Sequence, residues 1–218
     1  MLPKVQMLQK LVEGGVIAVI RRLEPETVED VALALVEGGI TALEITVDSP
    51  NAFETIRKLS RRLQGKALVG AGTVLDGYSA YQAIHSGAEF VFSPNLNVET
   101  IKTTLRYGKI AIPGILTPTE AITAIESGAD AVKVFPASSM GLQFIKDMQG
   151  PCPHIPIIPT GGVNLDNISS FIKAGSVSVG VGGNLLNKEA INLGNFDKIR
   201  DLAARYVKKV QEARKPGA

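Results

Sequence analysis

The sequence is poor in the residues that build cross-links and metal centres. It contains one cysteine, Cys152, and two histidines among 218 residues. A single cysteine excludes an intrachain disulfide and any metal site made from several cysteines. His85 and His154 fall at a predicted helix end and in a proline-rich loop, so we assign neither a chemical role. We therefore expect a protein that binds no metal.

Long apolar runs and an excess of one charge are also missing. No stretch is apolar for long enough to span a bilayer, and the first residues lack a signal-peptide pattern. Lysine and arginine total 23 against 21 acidic residues, and no basic cluster carries interleaved aromatic residues. These features argue against a membrane protein and against a nucleic-acid-binding surface. We expect a cytoplasmic protein.

Short apolar runs alternate with amphipathic segments along the whole chain. Eight β-branched runs with little interruption are typical of parallel strands that are buried on both faces. They cover residues 16–20, 42–47, 67–69, 90–92, 110–112, 131–135, 155–158 and 177–181. Capped helical segments lie between them; Pro25 opens one and Gly38 closes it.

Eight strand–helix units in about 200 residues are near the lower size limit of a TIM barrel. We therefore predict an α/β protein with one domain over residues 1–218, a single (β/α)₈ TIM barrel with short helical extensions at its termini. An open doubly wound sheet is the alternative, but no Gly-x-Gly-x-x-Gly turn follows the first strand.

Two ionisable residues interrupt predicted core strands. Lys133 lies in the apolar run 131–135, where burial would lower its pKa and favour the neutral amine that forms Schiff bases. A solvated strand face is the alternative, but the run lacks polar–apolar alternation. Glu44 lies in a similar way within the apolar run 41–47. The alternative for Glu44 is a structural role, as the salt-bridge partner of a neighbouring arginine. Two such groups favour a catalytic pair, because perturbed ionisable groups cluster at active sites.

Glycine turns follow the last two predicted strands, at 160–164 and 180–184. Barrels carry their function at the carboxyl ends of the strands, and they commonly bind phosphate at the last two. We therefore predict a phosphate site here. We also predict that Asn164 caps the next helix and that Asn184 opens a short extra helix through Asn187.

Six motifs follow one another along the chain: Leu43-Glu44-Ile45-Thr46, Val69-Gly70-Ala71-Gly72-Thr73-Val74, Phe92-Ser93-Pro94, Ile112-Pro113-Gly114, Val132-Lys133-Val134-Phe135-Pro136 and Pro159-Thr160-Gly161-Gly162. In this order they resemble the class I 2-keto-3-deoxy-6-phosphogluconate (KDPG) aldolases, which often also act as 4-hydroxy-2-oxoglutarate (KHG) aldolases. The similarity runs through the whole predicted barrel.

The resemblance implies a role for each matching residue. Lys133 would be the Schiff-base lysine and Glu44 the general acid and base. The substrate-binding residues would be Thr73, Pro94 and Phe135 around the pyruvate, with Thr160 on the bound substrate, and the phosphate would lie on Gly161, Gly162, Gly182, Gly183 and Asn184. The implied reaction splits KDPG into pyruvate and glyceraldehyde 3-phosphate, and KHG into pyruvate and glyoxylate, without metal or organic cofactor. The family is typically trimeric.

The sequence departs from this family at two positions. Asp48 stands where the best-known members carry a substrate-binding arginine, and Asn184 stands where a serine is common. Arg21, at the end of the first strand, is the nearest replacement cation by topology. We expect it to bind the substrate, and the alternative is a salt bridge to Glu44 or Asp48.

Residues 44–50 also resemble the related 2-keto-3-deoxy-6-phosphogalactonate aldolases, which use an arginine after the first strand. Thr160 favours the gluconate enzymes instead. Two other functions stay open: a phosphate-binding isomerase or synthase without covalent catalysis, and a non-catalytic sugar-phosphate sensor. An isomerase or synthase of this kind has no use for a lysine in a core strand. The only support for a non-catalytic sensor is Asp48, which stands where the family has its substrate-binding arginine.

Overall fold

The computed structural model describes residues 2–215; the predicted domain also includes Met1 and residues 216–218, which lie outside the described residues. Strands and helices alternate along this part of the chain. The order is α1 (Pro3–Gly14), β1 (Val16–Ile20), α2 (Pro25–Glu37), β2 (Ala42–Thr46), α3 (Ala52–Arg62), β3 (Leu68–Gly72), α4 (Gly77–His85), β4 (Phe90–Phe92), α5 (Val98–Arg106), β5 (Ile110–Ile112), β6 (Gly114–Ile115), α6 (Pro118–Glu126), β7 (Val132–Val134), α7 (Ala137–Gln149), β8 (Ile157–Pro159), α8 (Ile168–Lys173), β9 (Val179–Val181), α9 (Lys188–Asn192) and α10 (Phe196–Ala213).

The helix boundaries follow local sequence signals, with two corrections. Helix α2 begins at Pro25 and ends before Gly38, as predicted. The predicted caps Asn164 and Asn184 are wrong, because α8 has Asn167 at its N-cap and α9 has Asn187. Each predicted asparagine lies three residues before the true cap, inside the turn that leads to the helix.

All strand pairs are parallel, as the uninterrupted apolar runs predicted. Six strands form one sheet in the order β5-β4-β3-β2-β1-β9, and β6-β7-β8 form a second. Pro113 separates β5 from β6, because proline has no N–H to donate to a ladder. Its carbonyl still accepts a 2.8 Å hydrogen bond from the Lys133 N–H. A parallel bridge joins Thr160, after β8, to Gly180 in β9. The predicted α/β class with parallel strands is confirmed.

The strands bury their two faces in two different apolar clusters. Phe90 and Phe92 belong to a cluster with the side chains of other strands, whereas Val91 between them packs with the helices. Leu11 of α1 joins the cluster of Phe90 and Phe92, so α1 packs against the strand side chains themselves. This double burial explains why the strand sequences show no polar face.

The parallel arrangement collects the carboxyl ends of the strands at one edge of the molecule. In register, Glu44 of β2 lies beside Val19 of β1 and Gly70 of β3. Lys133 of β7 lies beside Gly114 and Ile158. Both ionisable residues are therefore fixed on central strands. Between residues 2 and 215, no helix is both long and apolar enough to cross a membrane.

Candidate active site

Lys133 and Glu44 come together in the interior although they belong to different sheets. The Lys133 Nζ lies 4.0 Å from Glu44 Oε1. Lys133 is 4 % exposed and Glu44 is completely buried. The structure therefore brings the two predicted catalytic groups within reach of one small molecule.

The environment of Lys133 favours its neutral amine. Its Nζ lies 4.3 Å from the ring centroid of Phe92 and 4.9 Å from that of Phe135. Burial lowers the pKa of the Lys133 amine, Glu44 opposes this shift and Arg21 adds to it. Loss of water dominates, because one carboxylate at 4.0 Å does not replace a hydration shell.

The pKa of Glu44 is shifted in the opposite direction, and burial is again the cause. Burial raises the pKa of the Glu44 carboxyl, while Lys133 and Arg21 act to lower it. Neither carboxyl oxygen has a hydrogen-bond partner. A carboxyl without donors and away from water favours its protonated form. Burial thus shifts both groups towards their uncharged forms, the amine of Lys133 and the acid of Glu44.

Glycine residues make the space that these side chains occupy. A Cβ added at Gly72 would collide with the Glu44 carboxyl, and one added at Gly180 would collide with the Thr160 hydroxyl. Neither residue was assigned a role from the sequence. The sequence does show the glycine pair Gly70 and Gly72 in β3. That Gly72 makes room for Glu44 is visible only once β2 is placed beside β3.

Several buried polar atoms at this edge lack partners. In the described part of the chain they include both Glu44 carboxyl oxygens and the Thr160 hydroxyl, which is in a residue only 5 % exposed. Buried polar groups are normally hydrogen-bonded, so a group of unpartnered ones in one place needs a reason. A ligand that supplies the missing hydrogen bonds is such a reason.

A cavity of about 560 Å³ opens at the carboxyl ends of the strands. Its walls include most of the predicted binding residues: Arg21, Phe135, Thr160, Gly161, Gly162, Gly182, Gly183 and Asn184. Thr73 and Pro94 follow β3 and β4 at the same edge and are half-buried, but they do not line this cavity. Arg22 and Lys188 do line it, and the sequence had not marked them as binding residues.

The two glycine turns are held in place by asparagine side chains. Gly161 and Gly162 have φ values of 90° and 83°, which only glycine adopts without strain. Asn167 donates a 2.9 Å hydrogen bond to the Gly162 carbonyl. Asn184 donates a 2.8 Å hydrogen bond from its side-chain amide to the Val163 carbonyl. The side chain of Asn184 therefore ties the two turns together.

Asp48 collects two arginines on one side of the cavity. Its Oδ2 accepts from Arg21 Nε at 3.2 Å and Nη2 at 3.0 Å, and from Arg22 Nε at 3.0 Å. Burial acts to raise the pKa of Asp48, but the Thr46 hydroxyl and both guanidinium groups outweigh it and hold that pKa below its usual range. One negative charge thus faces two positive charges. The predicted salt bridge of Arg21 is with Asp48 (3.0 Å) and not with Glu44.

Within residues 2–215, no three or more His, Cys, Asp or Glu side chains lie close enough together to hold a metal ion.

Comparisons with known proteins agree with this geometry. The family model described as KDPG and KHG aldolase matches residues 7–202. The 2-dehydro-3-deoxy-6-phosphogalactonate aldolase of Escherichia coli K12 is 33 % identical over 198 residues, which are 90 % of this chain and 95 % of that protein. The 2-dehydro-3-deoxy-phosphogluconate aldolase of Haemophilus influenzae is 33 % identical over 203 residues, with 93 % and 95 % covered.

A solved structure is similar over the same range. The KDPG aldolase of Legionella pneumophila, with pyruvate captured at low pH as a covalent carbinolamine intermediate, superposes with a TM-score of 0.82 at 30 % identity. The superposition covers 88 % of this chain and 95 % of that one. Since the family model spans most of the sequence, the chain belongs to the KDPG and KHG aldolase family of carbon–carbon lyases.

Proposed function

We propose that this protein is a Schiff-base aldolase that reversibly cleaves KDPG to pyruvate and glyceraldehyde 3-phosphate, and KHG to pyruvate and glyoxylate. The observation that carries the proposal is the buried pair of Lys133 and Glu44, 4.0 Å apart, with no hydrogen-bond partner on the carboxyl group. A phosphate-binding isomerase would need neither group in that environment.

The reaction begins with the neutral amine of Lys133. It attacks the C2 ketone, and the resulting carbinolamine loses its hydroxyl as water when Glu44 supplies a proton. The product is a protonated imine on Lys133. Its positive charge lies close to the new Glu44 carboxylate, and this attraction lowers the pKa of that carboxyl.

Carbon–carbon cleavage then uses the same two groups. Glu44, directly or through a water, takes the proton of the C4 hydroxyl; the C3–C4 bond breaks and its electron pair moves into the imine. The aldehyde leaves, C3 of the enamine is protonated, and water hydrolyses the pyruvate imine to restore the neutral amine. Because both groups are on rigid strands, little reorganisation is needed between steps. The route uses no metal or organic cofactor.

We assign the rest of the cavity to substrate recognition. Arg21 serves the substrate carboxylate, since a guanidinium binds a carboxylate with strong, directional hydrogen bonds. Phe135 and Thr160 lie beside the reacting carbons. The phosphate binds at Gly161, Gly162, Gly182, Gly183 and Asn184. The roles of Thr73 and Pro94 at the pyruvate rest on the family resemblance alone.

The phosphogalactonate substrate is the second candidate. The E. coli relative that bears its name is 33 % identical to this chain. Arg21, held by Asp48 after β1, is also an arginine of the kind expected in that subfamily. The two substrates differ in configuration at C4, so the ratio of kcat/KM for the two epimers assigns the activity.

We also propose a closed (β/α)₈ barrel, with β5 and β6 as one strand divided by Pro113. The hydrogen bonds from Asp130 N to Ala111 O and from Lys133 N to Pro113 O join the β5 segment to the β7 segment, and the Thr160–Gly180 bridge joins β8 to β9; these contacts between the two sheets support the closure. The barrel would be one domain over residues 1–218, with α1 and the end of α10 as the extensions. A homotrimer and a cytoplasmic location stay predictions; sedimentation of the intact protein tests the first.

Pyruvate trapping tests the aldolase assignment directly. Incubation with pyruvate and borohydride should add the mass of one reduced pyruvate to a peptide that contains Lys133. Lys133→Arg should abolish the adduct and the cleavage activity, because a guanidinium keeps its proton. The exposed Lys146→Arg is the matched control and should behave as wild type. Turnover with an adduct on another lysine would contradict the assignment.

Glu44→Gln tests the acid–base role. The amide keeps the shape of the side chain but cannot exchange a proton, so we expect kcat to fall by roughly 10²–10⁴-fold. The limb of the pH–rate profile that reports this carboxyl should disappear. Glu99→Gln, an exposed substitution on α5, should leave both unchanged. A near-normal rate with an unchanged profile would make Glu44 structural.

Arg21→Lys tests the carboxylate assignment. Lysine keeps the charge but loses the two-nitrogen geometry, so KM should rise both for pyruvate in condensation and for the phosphorylated substrate. The exposed Arg57→Lys is the control. If KM rose only for phosphorylated substrates, Arg21 would be assigned to the phosphate instead of the carboxylate. A fall in thermal stability with both KM values unchanged would leave Arg21 as a structural partner of Asp48.

A further inference from the structure

Among residues 2–215, the lining of the cavity at the carboxyl ends of the strands includes one lysine, Lys188, and includes neither Lys133 nor Glu44. Lys188 is exposed at the rim, next to the glycine turn that follows β9. Within residues 2–215 its amine takes part in no salt bridge or side-chain hydrogen bond, whereas both arginines of the cavity are bound to Asp48. This amine is therefore an uncompensated positive charge at the cavity mouth.

The backbone that carries Lys188 is fixed. Leu185 and Leu186 are buried, and their N–H groups donate to the Gly182 carbonyl at 2.9 and 3.0 Å. Asn187 caps the following turn by accepting a 2.8 Å hydrogen bond from the Ala190 N–H. Ile191 is also buried and lines the cavity. The chain thus holds the Lys188 backbone at a defined place on the rim.

A substrate with two anionic groups needs more positive charge than the two arginines provide. Among the described residues that line the cavity none is acidic, and Asp48 outside it offsets one of the two charges of Arg21 and Arg22. A phosphate monoester carries about −1.5 to −2 charges at pH 7, beyond the single charge of the substrate carboxylate. Backbone N–H groups of the glycine turns supply hydrogen bonds but no net charge.

Asn184 does not meet this need. Its side-chain amide donates one N–H to the Val163 carbonyl, and an amide brings no positive charge to an anion in the turn. The Thr160 hydroxyl lines the same cavity and has no hydrogen-bond partner among the described residues, but it carries no charge either.

We propose that Lys188 binds the terminal phosphate of the substrate and sets the preference of this enzyme for phosphorylated over unphosphorylated 2-keto acids. The proposal rests on the aldolase function proposed above and adds a residue that discriminates between its substrates. Lys188 takes no part in bond making; it touches only the distal anion.

The test compares substrates with and without the phosphate. Lys188→Gln removes the charge and keeps most of the length of the side chain. We expect KM for KDPG, and the inhibition constant of inorganic phosphate, to rise about threefold to tenfold, the range of an exposed charge pair with a doubly charged partner. KM for KHG and the rate of pyruvate trapping should change less than twofold. Lys188→Arg should restore the phosphate-dependent values.

Lys173→Gln is the matched control, since Lys173 is an exposed lysine at the end of α8 that does not line this cavity. It should change none of these constants. Equal effects of Lys188→Gln on KDPG and KHG, or no effect on either, would overturn the proposal. The failure of the aldolase function itself is a different result: the wild-type protein would then form no pyruvate adduct on Lys133.

Discussion

The burial of one amine and one carboxyl group side by side, away from the protein surface, is the constraint on which the rest of the site depends. Lys133 and Glu44 are held on central strands of two sheets, so neither can turn to solvent. The rings of Phe92 and Phe135 keep the space around the amine apolar. Gly72 provides the room for the carboxyl. Together these features favour the uncharged amine and the uncharged acid, the forms from which the proposed Schiff-base chemistry begins.

Burying these polar groups without hydrogen-bond partners lowers the free energy of unfolding. An unpartnered buried polar group costs about 1–3 kcal/mol, and the site contains several, on Glu44 and Thr160. The apolar clusters on both faces of the strands offset that cost. At the rim, by contrast, Asp48 forms salt bridges with Arg21 and Arg22, whose side chains are exposed to solvent. The ionisable pair in the interior is therefore buried, whereas the charged side chains at the rim are paired and partly exposed.

The sequence predicted the features that depend on hydrophobic pattern. Parallel strands follow from uninterrupted apolar runs, and Lys133 and Glu44 stood out because each interrupts one. Features that depend on contacts between distant segments were not predictable. Asn184 is polar and follows a glycine turn, yet only the structure reveals that its amide is bonded to Val163. Nothing in the sequence distinguishes Lys188 from other surface lysines, and only the structure shows that it lines the cavity.

The central claim is that burial lowers the pKa of the Lys133 amine and so favours its neutral, nucleophilic form. An NMR titration of protein labelled at the lysine Cε measures this, with the Lys133 signal identified by its absence from Lys133→Arg. We predict a titration midpoint for Lys133 clearly below the ordinary lysine value of 10.5, while the exposed lysines titrate near it. A midpoint at or above 10.5 would contradict the account, because it would mean that Lys133 is a charged partner of Glu44 and not a nucleophile.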